Sequence, residues 1–102
     1  MSQPLDRALE KLKVSLLQLA TMAEEQVTLA LRSLTTESVE TAQRVVQRDD
    51  EVDNKEVDIE EECLKILALY QPVAFDLRFV VAVLKINSDL ERIGDLAVNI
   101  AQ

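Results

Sequence analysis

The 102-residue sequence contains no histidine, a single cysteine and a single glycine. Zinc sites built on histidine or on several cysteines are therefore excluded, as is the Glu-x-x-His pattern of ferritin-like di-iron bundles. Gly94 cannot by itself form a phosphate loop, a nucleophile elbow or a dinucleotide-binding turn, because each of these needs several glycines. Cys63 has no partner for an intrachain disulfide, which fits a reducing cytoplasm.

Positive charge is also scarce. Eleven lysines and arginines stand against 19 aspartates and glutamates, for a net charge of −8. This balance disfavours binding to nucleic acid and adsorption to anionic lipid, and it favours basic partners or cations. No run approaches 18 uncharged apolar residues, and the N-terminus carries acids without an apolar stretch. We therefore expect neither direct membrane insertion nor a signal peptide.

Apolar residues make up 48% of the chain and recur at helical spacing. The first part of the chain carries a stripe with alternating steps of four and three residues, which is one face of a helix. Its members are Leu5, Leu9, Leu12, Leu16, Leu19 and Ala23. Further apolar residues are expected to widen this stripe, namely Met22, Val27, Ala30, Leu31 and Leu34.

The pattern predicts three long helices. We place the first from Leu5 to Leu34, the second from Glu37 to Tyr70, and the third from a start between Pro72 and Asp76 to the end of the chain. Long helices joined by short turns favour an all-α fold, an up-down-up bundle of three antiparallel helices over residues 1–102. The third helical pattern shows no stop signal, so we expect the natural protein to be longer.

Two short segments separate the helices. Thr36 or Ser38 is expected to cap the second helix, because a hydroxyl accepts a hydrogen bond from a free backbone N–H. Gln71-Pro72 is expected to end that helix, since proline disfavours the helical conformation in the residue before it.

The second helix carries carboxylates in its apolar seam. Six residues fit one register with steps of three and four: Val45, Val52, Ile59, Cys63, Ile66 and Tyr70. The same register lands on Asp49 and Glu56, and Asp53 lies one turn from Asp49 on the same face. Cys63 is expected to be a buried, small apolar residue.

The third helix has two possible core registers. One contains Leu77, Val81, Leu84, Ser88, Glu91, Asp95 and Val98; the other contains Val80, Val83, Leu90, Ala97 and Ala101. The first register places Glu91 and Asp95 in the core seam, with Asn99 continuing their row. The second places these two acids on its flank. The sequence leaves both registers open.

Crowded carboxylates predict a cation site. Residues 49–62 contain nine acids and one base, Lys55. Like charges four residues apart destabilise a helix, and a multivalent cation converts this repulsion into a set of ligands. Oxygen ligands suit Mg²⁺, Mn²⁺, Ca²⁺ and iron. The alternative is a solvated charged face, with Arg78, Lys85 and Arg92 paired to neighbouring acids.

Several segments resemble the PhoU family, regulators of bacterial phosphate uptake. They are QPVAFDLR at residues 71–78, LKI at 84–86, DLERIGDLAVNIA at 89–101 and, upstream, RVV at 44–46, Asp49 to Asp53, Glu56 and ECL at 62–64. The resemblance implies an all-helical protein with two tandem three-helix repeats, of which this chain looks like the first. The second repeat is expected to be absent from this chain.

The resemblance also implies a metal centre. PhoU proteins bind metal clusters, of iron or zinc, through E(D)xxxD motifs. Carried over by position, these motifs place metal ligands at Asp49, Asp53, Glu91 and Asp95, with additional candidates at Asp50, Glu56 and Asn99. The family's second set of motifs lies in the repeat that this chain lacks.

The function implied by the resemblance is negative regulation without enzymatic activity. Members of the family are adaptors that damp the phosphate ABC transporter, through its ATPase, and the linked sensor histidine kinase. The expected location is the cytoplasm, at the inner face of the membrane through these partners. Self-association into a homo-oligomer is expected where an exposed seam takes the place of the second repeat.

Two other functions are open. A structural helical adaptor would bind a basic partner surface through solvated acids, without metal. A metal-dependent hydrolase or oxidase is disfavoured, because the sequence supplies no histidine as general base and no glycine loop to hold a substrate.

Overall fold

The fold is a bundle of three long helices. The structure, a computed structural model, describes residues 3–102 and contains α1 (Gln3–Thr36), α2 (Val39–Tyr70) and α3 (Ala74–Ala101), with no strand in that range. The helices form a rod of 53 × 17 × 16 Å in which each helix packs against both others. No helix in this range is long and apolar enough to cross a membrane. The predicted all-α bundle is confirmed.

The helix boundaries follow local backbone chemistry. The Ser38 side chain accepts a hydrogen bond from the Thr41 N–H at 3.2 Å, so Ser38 is the N-cap of α2. Thr36 instead ends α1, where its hydroxyl donates to the Arg32 carbonyl at 2.7 Å. Gln71 has a left-handed φ of 44° and ends α2 directly before Pro72, as predicted.

The buried face of α1 confirms most of the predicted stripe. Leu5, Leu12, Leu19 and Ala23 are buried, and the face continues through Gln26, Leu29, Ala30 and Ser33. Leu31 and Leu34 are 51% and 58% exposed, so the prediction that they widen the stripe is wrong. Each follows a buried position by one residue, a rotation of about 100° around the helix.

The seam of α2 is confirmed. Its buried residues are Val45, Val52, Glu56, Ile59, Cys63 and Ile66, so the apolar register passes through a buried glutamate. Cys63 is fully buried, and burial raises the pKa of its thiol to about 11. This residue is therefore a protonated, apolar part of the core, as predicted.

The structure selects one of the two registers of α3. Val80, Val83, Asn87, Gly94 and Ala97 are buried, whereas Leu77 and Val81 are 40% and 52% exposed. The second register therefore faces the core. The exposed Glu91 and Asp95 consequently lie on its flank.

Candidate metal centre

Three carboxylates from two helices converge at one point on the bundle surface. Asp49 and Asp53 lie one turn apart on α2, and Asp95 comes from the flank of α3. One carboxylate oxygen from each lies within 4.8 Å of the other two. Asp49 is half-buried, and Asp53 and Asp95 are exposed. The cluster is therefore open to solvent on one side and closed by the bundle on the other.

Glu56 lies beside this cluster and is far more buried than its members. It is only 6% exposed, and its Oε1 has no hydrogen-bond partner among the described atoms. The pKa of Glu56 is raised to about 7, mainly by burial and then, in decreasing order, by the charges of Glu91, Asp53, Asp95 and Asp49. Glu56 therefore connects the three-aspartate cluster to Glu91.

Asp49 shares these properties to a smaller degree. Its Oδ1 is buried and has no hydrogen-bond partner within residues 3–102. Burial is the main cause that raises the pKa of Asp49, followed by the charges of Asp53, Asp95 and Asp50. Unpartnered buried carboxylate oxygens are unfavourable, because they lose water without gaining another donor or cation.

The nearby basic side chains are engaged elsewhere. Arg48 forms an ion pair with Glu25 of α1 at 2.6 Å, and Lys55 donates to Gln18 Oε1 of α1 at 2.7 Å. Arg92 pairs with Asp89 on its own helix at 3.6 Å. In the described part of the chain, none of the carboxylates at 49, 53, 56, 91 and 95 has an ion pair. Neutralisation by neighbouring arginine or lysine thus does not occur at this cluster.

At Gly94, α3 packs against the part of α2 that carries Val52 and Glu56. A Cβ atom added at Gly94 would lie 3.5 Å from Val52 Cγ1 and 3.9 Å from Glu56 Oε1, both ordinary contact distances. This contact between the helices covers Glu56, whereas Asp49 is half-buried and Asp53 is exposed.

The remaining candidates lie at the margin of the cluster. Glu91 is exposed and acts on Glu56 rather than joining the three aspartates. Asp50 is exposed, and its charge contributes to the raised pKa of Asp49. Asn99 is exposed one turn beyond Asp95.

The donor set fits a hard or borderline cation. Two ligands on opposite sides of an ion with metal–oxygen bonds of about 2.1–2.4 Å are about 4.2–4.8 Å apart. One oxygen each of Asp49, Asp53 and Asp95 lies within 4.8 Å of the other two, so a single ion could contact all three. With carboxylates alone, the set suits iron, Mn²⁺, Mg²⁺ or Ca²⁺. Zinc would have to bind through carboxylates, since Cys63 does not belong to the group of converging side chains.

The sequence profile of the PhoU domain matches residues 16–102. The chain belongs to the PhoU family. A phosphate-specific transport system accessory protein PhoU homolog from Aquifex aeolicus is 44% identical over 96 residues, covering 94% of this chain and 43% of the relative. The PhoU accessory protein of Serratia marcescens is 42% identical over 89 residues, covering 87% of this chain and 37% of the relative.

A solved PhoU structure shares the fold. The crystal structure of the phosphate transport system regulatory protein PhoU from Streptococcus pneumoniae matches with a TM-score of 0.88 and 35% identity, over 95% of this chain and 46% of that chain. The present chain thus spans less than half the length of these PhoU proteins.

Proposed function

We propose that this chain is a metal-binding, regulatory unit of a phosphate uptake system. The main support is the convergence of Asp49, Asp53 and Asp95 from two helices, next to the buried and unpartnered Glu56. Membership of the PhoU family supports the regulatory role, because the similar proteins are named as accessory proteins of phosphate-specific transport. The role of this chain is regulation of phosphate transport rather than catalysis.

Asp49 and Asp53 would hold the ion from α2, and Asp95 would hold it from α3. Glu56 and Glu91 extend the oxygen-donor row by one turn. A bound cation supplies positive charge where these carboxylates repel each other. The carboxylates then tie α2 to α3, and the face that they share becomes stiffer. Without neutralisation, the same acids push the two helices apart at this flank.

The partners follow from the resemblance. We propose that the stiffened face contacts the ATPase of the phosphate ABC transporter and the linked sensor histidine kinase, and that this contact restrains both when phosphate is plentiful. In this proposal the protein acts in the cytoplasm, at the inner face of the membrane.

Self-association is part of the proposal. Sixteen large apolar side chains within residues 3–102 are at least 40% exposed, among them Val57 and Leu64 on α2 and Val81 on α3. Apolar side chains exposed on a helical bundle are suited to contacts with a second copy of the same chain. We expect a homo-oligomer, which sedimentation velocity tests; a monomer at millimolar concentration would contradict it.

The decisive experiment is calorimetric titration of the metal-free protein with iron(II), Mn²⁺, Zn²⁺ and Mg²⁺. We expect saturable binding of at least one of them, accompanied by a rise in melting temperature. The absence of both effects with every ion would refute the metal centre and leave the adaptor that binds a basic partner through its acids. That adaptor would bind its partner in a salt-sensitive way that survives alanine at both Glu91 and Asp95.

A further inference from the structure

Helix α2 is held on two sides by buried side-chain amides. Gln26 of α1 donates from Nε2 to the Val45 carbonyl at 2.8 Å, and Asn87 of α3 donates from Nδ2 to the Glu56 carbonyl at 3.0 Å. The two amide side chains belong to residues that are only 1% and 4% exposed. Each bond joins two different helices inside the core.

Along α2, the two bonds lie at either end of the acidic row, which is formed by the carboxylates at 49, 53, 56, 91 and 95. Their acceptors, the carbonyls of Val45 and Glu56, are separated by about three turns of α2, and Asp49 and Asp53 lie between them. Asn87 lies one turn before Glu91 on α3, and its acceptor is the main chain of Glu56 itself. Asn87 thus joins the two helices that supply all the clustered acids.

These amides contribute little to stability as such. Gln26 Oε1 and Asn87 Oδ1 are buried and have no hydrogen-bond partner among the atoms of residues 3–102. The net gain from one hydrogen bond is comparable to the cost of burying an unpartnered polar oxygen. An apolar side chain of similar volume would fill the same space without that cost, as has been found where buried ion pairs are replaced by apolar residues.

The amides do fix the position of one helix relative to another. An apolar seam with steps of three and four residues tolerates small sliding and rotation of one helix against another, whereas a hydrogen bond to one particular carbonyl does not. A buried polar side chain that specifies register at some expense of stability is known from coiled coils.

We propose that Asn87 is a positioning residue for the metal centre. By binding the Glu56 carbonyl it sets the axial position and rotation of α2 relative to α3, and so holds Asp49 and Asp53 opposite Asp95. Gln26 makes the corresponding bond to α1, a helix that supplies no acid to the cluster. This inference rests on the proposed metal-binding function, and neither amide touches the ion.

The test compares Asn87→Leu with the matched control Gln26→Leu, which removes an equivalent buried bond to α2. Affinity is measured by calorimetric titration of the full chain with whichever of the four ions binds the unaltered protein. We expect Asn87→Leu to lower affinity by about 10-fold or more, the size of effect found for residues that orient metal ligands. Its melting temperature without metal should be unchanged or higher. Gln26→Leu should keep the affinity within about 3-fold, because α1 carries no ligand.

A second measurement needs no metal. Spin labels at the exposed positions Glu61 of α2 and Lys85 of α3, with Cys63 replaced by alanine, report the distance between the two helices by pulsed electron resonance. We expect the distance distribution to broaden or shift in Asn87→Leu and to stay unchanged in Gln26→Leu. Should the leucine variant not fold, Asn87→Ala, which leaves space instead of filling it, is measured in the same way.

The outcomes separate the two proposals. If the unaltered chain binds none of the ions, the proposed metal centre fails, whatever the spin labels report. If the unaltered chain binds an ion but Asn87→Leu matches it in affinity and distance, the positioning role is refuted. Losses of affinity in both variants that parallel losses of melting temperature would also refute it, since they would indicate general destabilisation.

Discussion

The two flanks of α2 differ in whether their charged side chains have partners of suitable charge or polarity. On the flank toward α1, Arg48 and Lys55 each bind a polar side chain of that helix. On the flank toward α3, all the charges that act on Asp49 and Glu56 come from other carboxylates. Arg48 and Asp49 are neighbours in sequence, as are Lys55 and Glu56, and consecutive residues point about 100° apart around a helix.

This difference shows that segregation of charge, rather than the number of acids, distinguishes the candidate site. If α2 were turned by one residue, Arg48 and Lys55 instead of Asp49 and Glu56 would lie opposite the acids of α3, and opposite charges would meet there without any ion. In the observed arrangement the bases form exposed contacts with α1, of a kind that contributes at most about 1 kcal/mol each. The repulsion toward α3 stays unrelieved, which is the property expected of a cation site.

The largest expected effect comes from removing acids on the α3 flank alone. The double variant Asp49→Asn and Asp95→Asn should lower metal affinity by more than about 100-fold, because two of three clustered charges are lost. Asp58→Asn, in a groove lined by Lys11, Lys55 and Lys65 of α1 and α2, is the matched control on the other flank. Calorimetric titration measures both, and equal losses in the two proteins would erase the distinction between the flanks.

Metal removal should be the next largest effect. A ligand at 100 times its dissociation constant stabilises the folded state by about 2.7 kcal/mol, so chelation should lower the melting temperature measurably. The shift is measured by thermal denaturation with and without chelator. It should vanish in the double variant and persist in Asp58→Asn; a shift that persists in both would place the bound ion elsewhere.

The pH dependence of the metal-free protein tests the buried member of the row. The pKa of Glu56 rises from 4.5 to about 7 on folding, so the folded state holds this proton more tightly than the unfolded chain. Stability from this group is therefore fully present below pH 4.5 and is lost as pH rises through about 7. We expect a loss on the order of 1–3 kcal/mol over this interval in urea denaturation.

Glu56→Gln is the control for that titration. It keeps the shape of the side chain and removes the titrating group, so the slope of stability between pH 4.5 and 7 should flatten. An unchanged slope would assign the pH dependence to the other carboxylates.

The smallest effect is expected on the α1 flank. Arg48→Gln breaks the pair with Glu25, in which both side chains are more than one-third exposed. We expect a change in unfolding free energy below about 1 kcal/mol by urea denaturation, with metal affinity retained. A large loss of affinity would show that the arginine acts on the acidic row after all.

The sequence predicts the helices and the seam of α2 well, because apolar spacing and short turns determine them. It cannot select the register of α3, since both registers are apolar for several turns and the choice depends on packing. The register that faces the core contains Asn87 and Gly94, whose polar or missing side chains weaken the apolar signal. Gln26 is missed for the same reason, although it follows Ala23 at the correct spacing.

The candidate site is predicted in part. The spacing of four residues places Asp49 with Asp53 and Glu91 with Asp95, because such pairs share a helical face. Which acids meet across the helices depends on the rotation of α3, which only the fold supplies. The observed rotation of α3 brings Asp95 to Asp49 and Asp53, and it brings Glu91 near Glu56. From the sequence alone, Glu56 is only an additional candidate.

The exposure of Asp53 and Asp95 bears on how quickly a site of this kind responds. A cation reaching their outward-facing oxygens crosses no lid and parts no pair of helices. Its arrival and departure would be limited by loss of its own hydration shell and by its affinity. Occupancy would then follow the free ion concentration closely, so the centre would sense the ion rather than store it.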